Sequence, residues 1–376
     1  MIWKNASVNV QTFIEVFVLT SISYLLYLGE PNISVMKLLT LALLLSFVYS
    51  NALPQDKNSR TIQYVNEGIK LHDAKKYAEA ITSYKEALKI DPENAQANYE
   101  IAFTLVSTGA RKEAIPYLER VTKTKNNTTA SAYDLLGSIY DELGQKEKAI
   151  ANFKQGIETD PKYTMLYYNL AITYVRMGNT KEAMSYVIQS LKLNPMHASS
   201  HRLYAMLSKI NPQNKVNAVL AYCNFLIIET NTERSVAAFK DLQTLLTSGV
   251  TTTGKQNNIT VDQGKDADLN ASNLAISMSY VSLNSLPEFS DSDKLEHQLK
   301  IIFSTTGEIS AKKENKDFFW SFYADYFNKI AKSEHLPIAA RIIGFISNQE
   351  VNRKWIKEHE LQFINFSKWN DTVQRN

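Results

Sequence analysis

Residues 77–95 read YAEAITSYKEALKIDPENA, and their apolar spacing decides the fold. Ala80, Ile81, Tyr84, Ala87, Leu88 and Ile90 recur at three- and four-residue intervals and form one face of a helix, while Glu79, Lys85, Glu86 and Lys89 face water. Asp91-Pro92 ends the helix, because a residue before proline is pushed out of the α region. So short a segment has an apolar face and nothing of its own to bury it against.

The same pattern recurs along the chain. Gly68, Ala102, Gly137, Ala171 and Ala205 lie 34, 35, 34 and 34 residues apart, and Ala80, Ala114, Ala149 and Ala183 follow at 34, 35 and 34. Pro92, Pro161 and Pro195 keep the same register, with one extra residue falling between Ala114 and Gly137, a span that includes Asn126-Asn127-Thr128-Thr129. Each period predicts two amphipathic helices. Small residues in the two columns let paired helices approach at the short end of the usual ~8–10 Å range. Gly109, Gly144 and Gly178 mark the turn within a pair, where a left-handed conformation is needed. Lys146, at the start of a second helix, reads as solvent-facing. One unit cannot bury its own face, so units must stack.

These residues resemble the tetratricopeptide repeat (TPR) family. Its pattern of an aromatic, Leu-Gly, Tyr, Ala, an aromatic, and Pro is matched by Tyr133, Leu136, Gly137, Tyr140, Ala149, Phe153 and Pro161. The first unit supplies Tyr64, Gly68, Ala80, Tyr84, Ala87 and Pro92, with Glu67 in place of leucine; the second carries Asn126 where proline is expected. The fourth gives Tyr167, Leu170, Ala171, Tyr174, Ala183 and Pro195, and a degenerate fifth gives Tyr204, Ala205, Ala218 and Tyr222. The resemblance implies an all-α fold: a right-handed α-solenoid of about five helix pairs over residues 61–230, a closing helix at 231–248, a linker at 249–268, and a helical C-terminal region at 269–376. That last region is similar to helical tails behind repeat arrays in secreted Gram-negative bacterial proteins.

In the resembling family the first helix of each unit lines a concave face that binds a protein or peptide partner. Carried onto this sequence, the inward positions are Val65, Ile69 and His72; Tyr99, Phe103 and Val106; Asp134, Ser138 and Asp141; Tyr168, Ile172 and Arg176; Arg202 and Met206. Family members that clamp a C-terminal carboxylate use lysine and asparagine at such places; Val65, Ile69, Tyr99 and Phe103 stand here instead. The expected surface is therefore apolar and aromatic, crossed by an acidic stripe, with Arg176 and Arg202 toward one end. The alternative is that C-terminal helices or a neighbouring unit cover it.

At the N-terminus, MKLLTLALLLSFVYSNA (Met36–Ala52) has the lysine, the apolar run and the small residues Ser50 and Ala52 of a secretory signal. The run is too short for a bilayer, which takes about 20 residues. Residues 1–52 are read as an upstream extension plus signal peptide, with a membrane anchor as the alternative. The mature body is expected outside the cytoplasm, periplasmic or secreted, and in contact with a membrane only if the segment is retained.

A net charge of +3, with no basic cluster interleaved with aromatics, argues against a nucleic-acid partner. The single cysteine, Cys223, lies in an apolar run and excludes an internal disulfide or a cysteine-based zinc cluster. Gly249 to Gln256 (GVTTTGKQ) nearly spells a phosphate-binding loop, but Gln256 replaces the final Ser or Thr. His197 and His201 share a helical face without the glutamate or third ligand of a zinc site. Glu358-His359-Glu360 reads as a solvated helix face. No catalytic residue, cofactor or metal site is assigned. The function implied is a non-catalytic binding scaffold, with a helical enzyme domain in 269–373 as the alternative.

Overall fold

The computed structural model describes residues 57–253, 256–261, 264–285 and 289–373. The export segment and its anchor alternative lie outside them. The chain divides into two compact units, Met1–Gly109 and Ala110–Asn376.

In the first unit α1 (Lys57–Asp73) pairs with α2 (Tyr77–Ile90), and α3 (Ala95–Ser107) packs on both. Gly68 is the point of closest approach: a Cβ built there would lie 2.3 Å from the buried ring of Tyr84. Val65, Ala87 and Ala97 fill the space between the helices. Lys75 occupies the turn from α1 to α2 with φ 61°, the conformation that Gly144 and Gly178 adopt at 76° and 75° in the equivalent turns. Asn94 caps α3 by accepting the Ala97 N–H at 3.0 Å.

The second unit opens with α4 (Arg111–Thr122), which packs on α5 (Thr129–Glu142). Three pairs follow: α5 with α6 (Lys146–Thr159), α7 (Thr164–Arg176) with α8 (Thr180–Leu193), and α9 (Ala198–Lys209) with α10 (Lys215–Ile228). Gly137 meets the Phe153 ring as Gly68 meets Tyr84, with a built Cβ only 2.5 Å away. The residues before the prolines leave the helical conformation as expected: Asp91, Asp160 and Asn194 have φ −138°, −138° and −137°.

Helix α10 is buried continuously from Val216 to Leu226, Cys223 included. A helix apolar on all sides needs neighbours all round. They are α9, α11 (Glu233–Thr247), α12 (Ala267–Ser282), a π-helical turn at Phe319–Ala324 and α15 (Leu336–Ile343); α13 (Asp291–Ala311), α14 (Asp325–Ala331), α16 (Gln349–Glu358) and α17 (Glu360–Thr372) complete the C-terminal elements. A single apolar core runs from Ala171 through Phe225, Phe303 and Tyr323 to Phe366. The expected boundary near residue 268 is therefore no boundary in the packing. The fifth pair is an interior element, with Tyr204 of α9 lying 5.7 Å from Phe318 and 5.2 Å from Tyr323 between ring centroids.

The expected linker at 249–268 is also corrected. It holds an antiparallel hairpin, β1 (Val250–Thr253) with β2 (Gln256–Ile259), in register Thr251 to Asn258. Gly249 enters it at φ +79° and accepts the Thr260 N–H at 2.7 Å. The stretch reads as polar and loop-like, yet Val250 and the threonines are β-branched residues suited to a strand. No described helix is long and apolar enough to cross a membrane.

Candidate binding surface

The first-helix residues separate by environment. In the first unit, Tyr99 and Phe103 project from α3 one turn apart, their rings stacked at 6.3 Å, and Phe103 is 41% exposed. His72 at the end of α1 packs against Phe103 at 5.3 Å and edge-on to Tyr77 at 5.2 Å, and its Nδ1 lies 2.8 Å from Thr104 Oγ1. Ile69 is half-buried. Val65 is a correction: at 5% exposure it belongs to the α1–α3 core, because its position points at Ala87 and Ala97. Burial also raises the carboxyl pKa of Glu100, against the hydrogen bond it accepts from Gln96.

In the second unit the two aspartates of α5 meet different fates. Asp141 is buried at 4% exposure and carries two cations: Arg176 from the end of α7, and Lys146, whose Nζ lies 2.8 Å from Oδ1 and also donates to the Asp141 carbonyl at 2.7 Å. Lys146 is thus half-buried and ion-paired, against its reading as a surface residue. Asp134, two turns earlier, accepts among the described residues only the Asn169 side-chain N–H, at 2.8 Å on Oδ1. Burial pushes its carboxyl pKa up to about 6, and the Asn169 hydrogen bond offsets only part of the rise. Both contacts tie α5 to α7. Asn169 was not among the residues singled out in the sequence; its one signal is that it lies 35 positions after Asp134.

Tyr168 and Ile172 of α7 are half-buried against the core. Tyr168 stands edge-on to His197 at 5.0 Å. Burial, and secondarily the charge of Arg234, lowers the His197 pKa below the usual imidazole value. Arg202 does not join Arg176. It lies instead beside Asp241, whose pKa is raised by burial but lowered on balance by Lys209, Tyr222 and Arg202. Lys209 Nζ and the Tyr222 hydroxyl reach Asp241 Oδ2 at 2.8 and 2.7 Å. The acidic stripe is therefore neutralised at Asp141 and left open at Asp134.

His201 is fully buried. Its Nε2 donates to the Pro195 carbonyl at 2.8 Å, which leaves Nδ1 to accept the Tyr323 hydroxyl proton at 2.7 Å. Asn224 of α10 completes the set at 3.0 Å. Among the described residues no three His, Cys, Asp or Glu side chains converge as metal ligands do.

Tetratricopeptide repeat profiles match residues 71–139, 137–178 and 166–197. The chain is similar to human tetratricopeptide repeat protein 6, at 25% identity over 35% of this chain and 25% of that protein. It is also similar to DnaJ homolog subfamily C member 3 of Gallus gallus, at 26% identity over 43% and 34%. It thus spans a quarter to a third of the length of these curated relatives. Among solved structures, the Pseudomonas aeruginosa PilF protein is 18% identical, with 68% of this chain and 99% of that one covered and a TM-score of 0.46. YrrB, described as a TPR protein with an unusual peptide-binding site, is 20% identical over 51% and 97%, with a TM-score of 0.39. Column spacing, the glycine-to-aromatic contacts and the profile matches agree: residues 71–197 are a tetratricopeptide repeat array.

Proposed function

We propose that the chain is a non-catalytic scaffold that takes up a polypeptide partner on its first-helix faces, outside the cytoplasm. The observation that carries this reading is the Tyr99–Phe103 pair. The equivalent second-helix aromatics, Tyr84 and Phe153, are buried against glycines, whereas Phe103 keeps 41% of its surface exposed beside the stacked Tyr99 ring. With His72 packed on its other side, Phe103 and Tyr99 form an aromatic cluster at the surface, and a contiguous exposed apolar patch is what a polypeptide partner covers. In the second unit, Met206 of α9, 42% exposed, sits at the corresponding inward position. The extracellular part of the proposal rests on the Met36–Ala52 pattern, and N-terminal sequencing from the native host tests it. A mature chain beginning near Leu53 supports export; residues 1–35 on the mature chain support an anchor.

The experiment for binding is affinity capture from an envelope extract with wild-type protein and the Tyr99→Ala/Phe103→Ala variant. Each anchor that a partner buries is worth about 1.5–3 kcal/mol before ordering costs. The double variant should therefore lose the partner while keeping its melting temperature.

A further inference from the structure

Helix α5 carries Asp134 and Asp141 two turns apart and Glu142 at its end; Glu142 pairs with Arg111, and of the two aspartates only one has its charge matched. Asp141 is held by Arg176 and Lys146. Asp134 has a neutral amide, Asn169 Nδ2, on Oδ1. Among the described residues no cation is paired with it: Ser138 lies on its own helix, and Tyr163, on the turn before α7, has its phenol pKa raised first by burial and then by the Asp134 charge. Within this unit the carboxylate is desolvated, oriented and uncompensated. A desolvated anion without a partner is costly unless something brings the opposite charge.

We propose that Asp134 is the docking point for a lysine side chain of the bound polypeptide, with Asn169 fixing the carboxylate. This rests on the scaffold reading and names the chemistry of its partner. Lysine suits this geometry better than arginine. With Oδ1 engaged by Asn169, Oδ2 is the oxygen with no hydrogen bond among the described residues. A single oxygen suits a compact ammonium, whereas a guanidinium fork is best matched by both oxygens of one carboxylate. Asp141 of α5 shows the ammonium mode, with Lys146 of α6 on its Oδ1 at 2.8 Å beside Arg176 on its Oδ2.

The test begins with random 12-residue peptides displayed on phage and selected on the immobilised full chain. A selected peptide is resynthesised with each lysine in turn as lysine, arginine, acetyl-lysine or glutamine. Affinities are measured against wild type, Asp134→Asn and Tyr168→Ala, with a thermal melt of each to confirm folding. The expected result is one lysine whose acetylation weakens binding to wild type by about tenfold or more, the scale of a charge-assisted hydrogen bond. Arginine there falls between the two, and Asp134→Asn no longer distinguishes lysine from acetyl-lysine. Peptides lost on Tyr168→Ala but indifferent to acetylation and to Asp134→Asn would overturn the lysine site and leave the scaffold reading standing. Failure to select any peptide, or binding indifferent to both variants, would overturn both.

Discussion

At the residue scale, the columns that mark the repeat are contacts. Gly68 and Gly137 are glycine because an aromatic ring from the second helix lies where a Cβ would be. Gly137→Ala gains helix propensity but drives a methyl into the Phe153 ring, which is 1% exposed and has nowhere to move. It should destabilise the protein by about 1–3 kcal/mol, read as a lower denaturant midpoint with unchanged slope. Lys146→Gln looks neutral from sequence, but it removes one of two cations from a buried acid. It should cost about 1 kcal/mol or more, against near zero for the exposed Lys85→Gln. Asp134 has a pH signature. Its folded pKa of about 6 exceeds the ordinary 3.8, so the folded state holds the proton more tightly than the unfolded chain. Its effect on stability is absent below the unfolded value, grows as pH rises from about 4 to 6, and then stays as a constant penalty of at most roughly 2–3 kcal/mol. Asp134→Asn should therefore stabilise the protein more at pH 8 than at pH 4.5 in urea melts. An equal change at both pH values would contradict the burial argument. The acid itself was legible as a first-helix position. Its isolation was not, because that depends on Arg176 reaching Asp141 and no cation reaching Asp134.

At the element scale, helix pairs and their stops were legible because they depend on local rules: proline ends, turn glycines and three- and four-residue spacing. The hairpin was missed because Gly249, Gly254 and the polar residues between the strands outweighed four β-favouring residues, Val250 to Thr253. Helix α12 also departs from its pattern. Its apolar Leu274 and Met278 are 42% and 50% exposed, while Ser272, Asn273, Ser277 and Ser279 are buried. The reason is tertiary: Asn273 accepts the Val216 N–H at 2.9 Å and donates to the Gln213 carbonyl at 2.7 Å, closing the start of α10. Hydrophobic periodicity cannot foresee a helix turned inward by a capping asparagine.

At the scale of the whole molecule, the C-terminal elements are part of the repeat core in the second unit. A stack of repeats must end in something that covers its last apolar face. Here α12–α17 do so, with the Tyr323–His201 hydrogen bond and the Tyr204–Phe318 contact at the join. A chain ending after α11, at residue 248, should be insoluble or melt without a cooperative transition, since Tyr204 and His201 lose Phe318, Phe322 and Tyr323. A soluble, cooperatively melting truncation would contradict the single core. The repeats were legible in the sequence. This merger was not, because aromatic spacing shows that a helix packs but not what it packs against. The central claim remains that the first-helix face takes up a polypeptide, and the most direct measurement is the affinity of a captured partner for wild type and for Tyr99→Ala/Phe103→Ala. The account predicts a loss of tenfold or more, about 1.4 kcal/mol at least, in a variant that melts as wild type does. A folded double variant that binds with unchanged affinity would contradict it.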